Sequence, residues 1–177
     1  WVSAQNKVTF DYLNKIPYRN ALRDRFKELY DYSKIGAPVI SGNNIFYYEK
    51  KGLQNQPVIY LQKGNAPAEI FIDPNAIDPK GLSVYEISGA TYINSHIYDA
   101  GNSGISPDGK FAAVTIRRSG SDWSELVIYN IETRSPTGDK LQWLKSGGVS
   151  WYKDGFFYSR YPQPAPGTEL SAKNEYH

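Results

Sequence analysis

Cysteine is absent from all 177 residues, so neither a disulfide nor a thiolate nucleophile is available. That absence suits the cytoplasm and permits the periplasm, with the cytoplasm the favoured expectation. Histidine is scarce: only His96 and His177 occur, and His177 is the last residue. A Ser-His-acid triad needs a base near its nucleophile, and two distant imidazoles without a thiol lack metal-ligand spacing. No catalytic residue and no metal ligand is assigned, and no cofactor is expected. No G-x-G-x-x-G or Walker-type loop occurs. The G-x-S-x-G elbow is missing too; Gly101-Asn102-Ser103-Gly104 fails by one position and reads as a loop.

Long apolar runs are also missing. Nothing approaches the roughly 18 residues of a membrane span, so no membrane partner is expected. The opening Trp1-Val2-Ser3 has no signal-peptide character and no Met, and the expectation is that the natural N-terminus has been lost. The net charge is only +2. Lys50-Lys51 and Arg117-Arg118 are the nearest basic clusters, and Glu49 and Asp122 lie close to them. A nucleic-acid footprint needs a basic stripe, so no nucleic acid is expected.

Aromatics are plentiful at 15%, with 15 Tyr, and 15 Gly and 11 Pro supply turns. Flat rings pack well on a pleated surface, so this composition leans toward a mainly β protein. Residues 1–35 nevertheless read as helical. Trp1, Ala4, Val8 and Tyr12 recur at helix spacing, and Leu22, Phe26, Leu29 and Tyr30 form a cleaner i, i+4, i+7, i+8 set. Gly36-Ala37-Pro38 is expected to end the helical region.

Short strands with polar turns follow. Ile45 to Tyr48, Pro57 to Leu61 and Ile70 to Ile72 form a first meander, stopped by Asp73-Pro74-Asn75. Ser106-Pro107-Asp108-Gly109-Lys110 leads into Phe111 to Ile116, then Leu126 to Ile131 and Leu141 to Leu144. Trp151-Tyr152-Lys153-Asp154-Gly155 leads into Phe156 to Tyr158. The Asp-Gly turns lie 46 residues apart, from Asp108 to Asp154. A multi-strand repeat of that length is a propeller signal. Residues 82–104 lengthen the gap between the first two repeats and hold either an extra strand pair or a long loop.

Asp108 and Asp154 each stand alone before a Gly, without the Asp/Asn ladder of a calcium loop, and read as turn residues. Trp123 and Trp151 could stack on a sugar or a base; the plainer expectation is that both are core or blade-interface residues. Paired carboxylates for glycoside hydrolysis stay open at this level.

The order of several segments adds a resemblance. Trp1-Val2-Ser3-Ala4-Gln5-Asn6, Leu29-Tyr30-Asp31-Tyr32, Gly52-Leu53-Gln54-Asn55-Gln56 and Asp73-Pro74-Asn75 come first. Ser106-Pro107-Asp108-Gly109-Lys110, Gly120-Ser121-Asp122-Trp123 and Gly167-Thr168-Glu169-Leu170-Ser171-Ala172-Lys173 follow. In this order they resemble landmarks of the prolyl oligopeptidase family of serine peptidases. Two departures stand out: the length of 82–104, and Leu144-Lys145-Ser146-Gly147-Gly148, which lacks an aromatic that in the family helps line the distal peptide site. No substrate-contact residue is therefore carried onto this chain.

The resemblance implies a helical arm, residues 1–38, that packs on an α/β-hydrolase domain. Residues 39–177 would be blades one and two and the start of blade three of a seven-bladed propeller. The parent would be a proline-specific serine endopeptidase acting on short peptides. Its triad would come from C-terminal sequence, and the propeller would gate access to it. The implied partners are the hydrolase domain, the remaining blades and short proline-containing peptides, and the fragment would self-associate. Two other readings stand beside it: a stand-alone β-repeat ligand-binding module, and an all-β enzyme with a carboxylate site.

Overall fold

The computed structural model describes residues 1–88, 90–93, 96–99, 104–145 and 148–169, with the backbone alone for 90–93 and 96–99. Two helices open the chain, α1 (Val2–Leu13) and α2 (Arg19–Tyr30), and neither contains a buried residue. Leu22, Phe26, Leu29 and Tyr30 are all at least half exposed. The apolar stripe of α2 is thus formed, and among the described residues nothing covers it.

The helical region ends earlier than Gly36-Ala37-Pro38 suggests. β1 (Lys34–Ile35) and β2 (Val39–Ser41) both pair with β3 (Asn44–Lys50) along the same edge. Gly36 and Pro38 therefore interrupt a strand rather than end a helix, because proline removes a ladder donor and is tolerated at an edge. β4 (Val58–Lys63) and β5 (Glu69–Ile72) complete a first antiparallel sheet. A four-residue helix, α3 (Pro74–Ile77), then turns the chain away. The Asp73 side chain caps it by accepting from the Asn75 amide at 2.9 Å, and Pro74 sits at its first turn.

The second sheet has the order β11-β10-β9-β6, from β6 (Ser83–Ile87), β9 (Phe111–Arg118), β10 (Ser124–Asn130) and β11 (Ser135–Leu144). Between β6 and β9 lies a separate hairpin, β7 (Ala90–Ile93) with β8 (His96–Asp99). The stretch 82–104 thus holds the extra strand pair, and also β6, an integral strand of the second sheet that sequence reasoning did not separate from the insertion. β12 (Ser150–Tyr152) and β13 (Gly155–Phe157) begin a third unit. Apart from α3, every described element after residue 38 is an antiparallel strand.

The two sheets pack face to face. Val39, Phe46, Tyr48, Ile59, Leu61 and Phe71 of sheet one meet Tyr85, Ile87, Ala112, Val114, Ile116 and Tyr129 of sheet two in one core. A second core lies on the other face of sheet two, where Ala113, Leu126, Ile128 and Leu144 meet Val149, Trp151 and Phe156 of the third unit. Sheet two is buried on both faces, as the inner layer of a stack must be. Sheet one is buried on one face only. Its outer face carries Ile40 and Ile70, 65% and 50% exposed, and a stacked Tyr47–Tyr60 pair. This is the blade-on-blade architecture the strand spacing predicts, with two blades complete in strand number and a third begun.

The turns into the second strand of each blade differ in detail. Gly109 takes φ 70, as the Asp-Gly reading requires. In the third unit, however, the positive φ falls on Lys153, at 55°, while Gly155 pairs with Tyr152 as a strand residue. The positive position leads the two-residue loop there, as Gly42 does between β2 and β3. The repeat is therefore one of topology, and the matching dipeptide is not the matching backbone.

Candidate functional site

Pairing registers place several loops at one end of both sheets. Lys34 stands opposite Lys50, Ser83 opposite Arg118, and Ser124 opposite both Arg117 and Leu144. The exit from α2, the 51–57 loop, the 73–82 connection, the 119–123 loop and the chain after Leu144 thus share the end where the helical arm joins. The opposite end is laced across the blades. Lys63 pairs with Glu132, Arg134 pairs with Glu69, and Asn44 Nδ2 donates to the Gly109 carbonyl at 3.1 Å.

The arm-side end instead holds open space. A cavity of about 520 Å3 lies between the α2 exit and the two blades, lined by Tyr30, Lys34, Leu53, Tyr85 and Glu86 among others. The Tyr48 hydroxyl reaches across to accept the Ile87 amide at 2.7 Å. A second cavity of about 440 Å3 is bordered by Arg117, Asp122 and Lys145. Arg117 Nη2 donates to Glu86 at 2.7 Å between the two cavities. Burial pushes the Glu86 carboxyl above the usual carboxylate range, and Arg117 opposes this with a smaller pull. Burial would also raise Glu125, but hydrogen bonds from Lys140, Arg118 and Gln142 hold it below its ordinary value.

Aromatic residues dominate the outer part of this end. Trp123 meets Trp143 edge to face at 5.5 Å and Tyr161 at 5.4 Å, with Lys145 Nζ 4.6 Å from the Trp123 ring centre. Trp123 belongs to neither core and is only partly buried. The core half of the expectation fails for Trp123, because an edge turn carries it past the sheet, while its contacts with Tyr161 and Glu169 join blade two to the chain of the third unit, as the interface half expects. Trp151 does pack against the second core, edge to face with Phe156 at 5.1 Å, though it too is only partly buried. Trp143 was not singled out from sequence. It became visible only through a bulge, Gln142-Trp143 opposite Glu125, at which Trp143 takes φ 67.

Asp108 is held in its turn, accepting from Ser106 Oγ at 2.6 Å and the Lys110 amide at 3.1 Å, and these bonds lower its pKa, Ser106 first. Asp154 is exposed at a hairpin tip. Among the described residues no group of three potential metal ligands occurs. His96 lies in β8, whose side chains are outside the described part, as are His177, residues 101–103, Ser146 and Gly147, and 170–173. Gly104 has a structural explanation: a Cβ there would come within 2.4 Å of the Ser88 carbonyl oxygen. Among the described residues no helix is long and apolar enough to cross a membrane.

Comparison with known proteins agrees with this geometry. The N-terminal β-propeller domain of prolyl oligopeptidase matches residues 1–177. Prolyl endopeptidase of Elizabethkingia miricola is 33% identical over 178 residues, covering 100% of this chain and 23% of the relative. Prolyl oligopeptidase A of Amanita bisporigera is 32% identical over 191 residues, covering 92% and 22%. Prolyl oligopeptidase B from Galerina marginata, solved with a 35mer hydrolysis and macrocyclization substrate, shares the fold at TM-score 0.74 and 24% identity, over 99% of this chain and 25% of that one. A structure from a study of two prolyl endopeptidases gives TM-score 0.78 at 23% identity, over 94% and 23%. The chain spans about a quarter of the length of the relatives it matches, and the matched region is the propeller, not the catalytic domain. Blades, arm and sequence together place this chain in the prolyl oligopeptidase family, as part of its N-terminal β-propeller domain.

Proposed function

We propose that this chain is the opening part of the gating propeller of a proline-specific serine endopeptidase that acts on short peptides, and that it carries no catalytic residue itself. The supporting observation is the uncovered apolar face of α2 beside two stacked blades. Leu22, Phe26 and Leu29 are 50%, 59% and 52% exposed. Such a stripe needs a partner surface. The α/β-hydrolase domain is that partner in our reading, with residues 1–38 as the arm and 39–177 as propeller. Further blades would cover the outer face of sheet one, and the cytoplasm would be the compartment.

Acyl transfer needs a nucleophile on a strained turn, a base within hydrogen-bond reach and an oxyanion hole. A stack of meanders supplies a wall instead, and a covered cavity admits small peptides while excluding folded proteins. The test is labelling with a fluorophosphonate, alongside a chromogenic Gly-Pro peptide. The isolated chain should bind no label and release no chromophore. Stoichiometric labelling of any serine would overturn the reading.

A further inference from the structure

After β13 the chain leaves its hairpin and returns to the edge of blade two. The Tyr161 amide donates to the Trp143 carbonyl at 2.8 Å. Further on, the Glu169 carbonyl accepts from Trp123 Nε1 at 3.1 Å. Both ends of the segment 161–169 are thus fixed on one crossed pair of indoles. Between these anchors Pro162, Gln163, Ala165 and Pro166 are exposed. The excursion is closed on itself by Thr168 bonding the Ala165 carbonyl and by the Gly167 amide donating to Glu169 Oε1. It is a compact loop with adjacent ends, the form of a surface flap.

Trp143 supplies the second observation. A bulky residue at φ 67 is a backbone outlier that persists only where its surroundings impose it. The bulge alone does not need tryptophan, since glycine takes this conformation freely. What the strained position does is place the Trp143 ring on Trp123 and leave its carbonyl facing Tyr161.

We infer that Trp143 is the positioning residue of an aromatic latch, and that residues 161–169 are a flap which this latch holds closed on the arm-side edge of blade two. Pro162, Pro164 and Pro166 stiffen the flap, so it moves about its two anchors rather than collapsing between them. Lys145, over both the Trp123 and Tyr161 rings, ties the latch to the rim of the 440 Å3 cavity that it also borders. Opening the flap would bare both indoles beside that cavity. Every group that forms the latch lies within the described residues of this chain.

Amide hydrogen exchange on the 177-residue chain tests it, with Trp143→Ala, Trp143→Gly and Trp123→Phe. In both Trp143 variants the amides of Tyr161, Gly167 and Thr168 should exchange about tenfold faster, while those of β9 and β10 keep their rates. The Gly variant should melt no lower than the Ala variant, because it removes the strain together with the ring. Trp123→Phe keeps an aromatic ring and loses the bond to Glu169, so Gly167 and Thr168 should open while Tyr161 stays protected. Unchanged loop amides in both Trp143 variants would overturn the latch. So would β10 accelerating in step with the loop, since Trp143 would then be a staple of the sheet. If Trp143→Ala fails to fold, unchanged protection of Gly167 and Thr168 in Trp123→Phe overturns it as well.

Discussion

Trp151 and Trp123 show how differently one residue type is used in neighbouring strands. The Trp151 ring packs on the second core, but its buried indole N–H has no hydrogen-bond partner among the described residues. Burying a donor without a partner forfeits the bond it made with water. Replacing Trp151 by Phe should therefore cost under about 1.5 kcal/mol, whereas Ala should cost about 2–4 kcal/mol, somewhat less than for a fully buried ring. Urea denaturation of the two variants separates these outcomes, and equal losses would mean the N–H has a partner after all. Trp123 is the reverse case, only partly exposed and with its N–H satisfied by Glu169. The sequence spacing around both residues is that of a strand next to a turn. It does not say which side of the sheet edge a ring falls on, and the bulge at Trp143 decides that. A one-residue bulge has no sequence mark unless glycine fills it, and here tryptophan does.

At the scale of elements, sheet two carries a charge cluster at its arm-side end. Glu125 on β10 accepts from Lys140 of β11 at 2.9 Å and from Arg118 of β9 at 3.2 Å, joining three strands. Its folded pKa lies below its unfolded value near 4.3. The stability it contributes is fully present above that unfolded value and is lost as pH falls through the folded one. Lowering the pH from 6 to 3 should shift the denaturation midpoint down, and Glu125→Gln should shrink that shift without abolishing it. Asp108 and Glu132 have lowered values and keep part of the acid sensitivity. An identical shift in the variant would contradict the assignment. Glu86 works in the opposite sense. Its raised pKa favours the folded state at low pH and withdraws that support as pH rises through the window above the unfolded value.

Element order was largely legible in sequence. The runs at Ile45, Ile70 and Phe111 fall inside β3, β5 and β9, and the run from Leu126 ends one residue past β10. β11 was not, since it begins at Ser135, six residues before the apolar run at Leu141. Its first residues, Ser-Pro-Thr-Gly-Asp-Lys, are exposed and carry no large apolar side chain beyond the proline ring. An outermost strand facing water carries no alternation for a reader to find. β6 was masked for another reason: the hairpin that follows it breaks the repeat length on which the propeller reading rests.

At the scale of the whole molecule, burial is asymmetric. Sheet two is covered on both faces, sheet one on one, and the helical arm on none. Covering the exposed stripe of α2 and the outer face of sheet one requires surface that the described residues do not bring to them. Exposed apolar patches beyond a few hundred Å2 are rare on soluble monomers, and unpaired edge strands offer a second route to association. Membership of the family explains why such faces exist, because a propeller blade is finished only by its neighbours. Light scattering of the purified 177-residue chain at micromolar concentration measures this directly. The account predicts oligomers or poor solubility. A stable, monodisperse monomer with a single cooperative melt would contradict it, because the faces described as open would then have to be covered from within the chain.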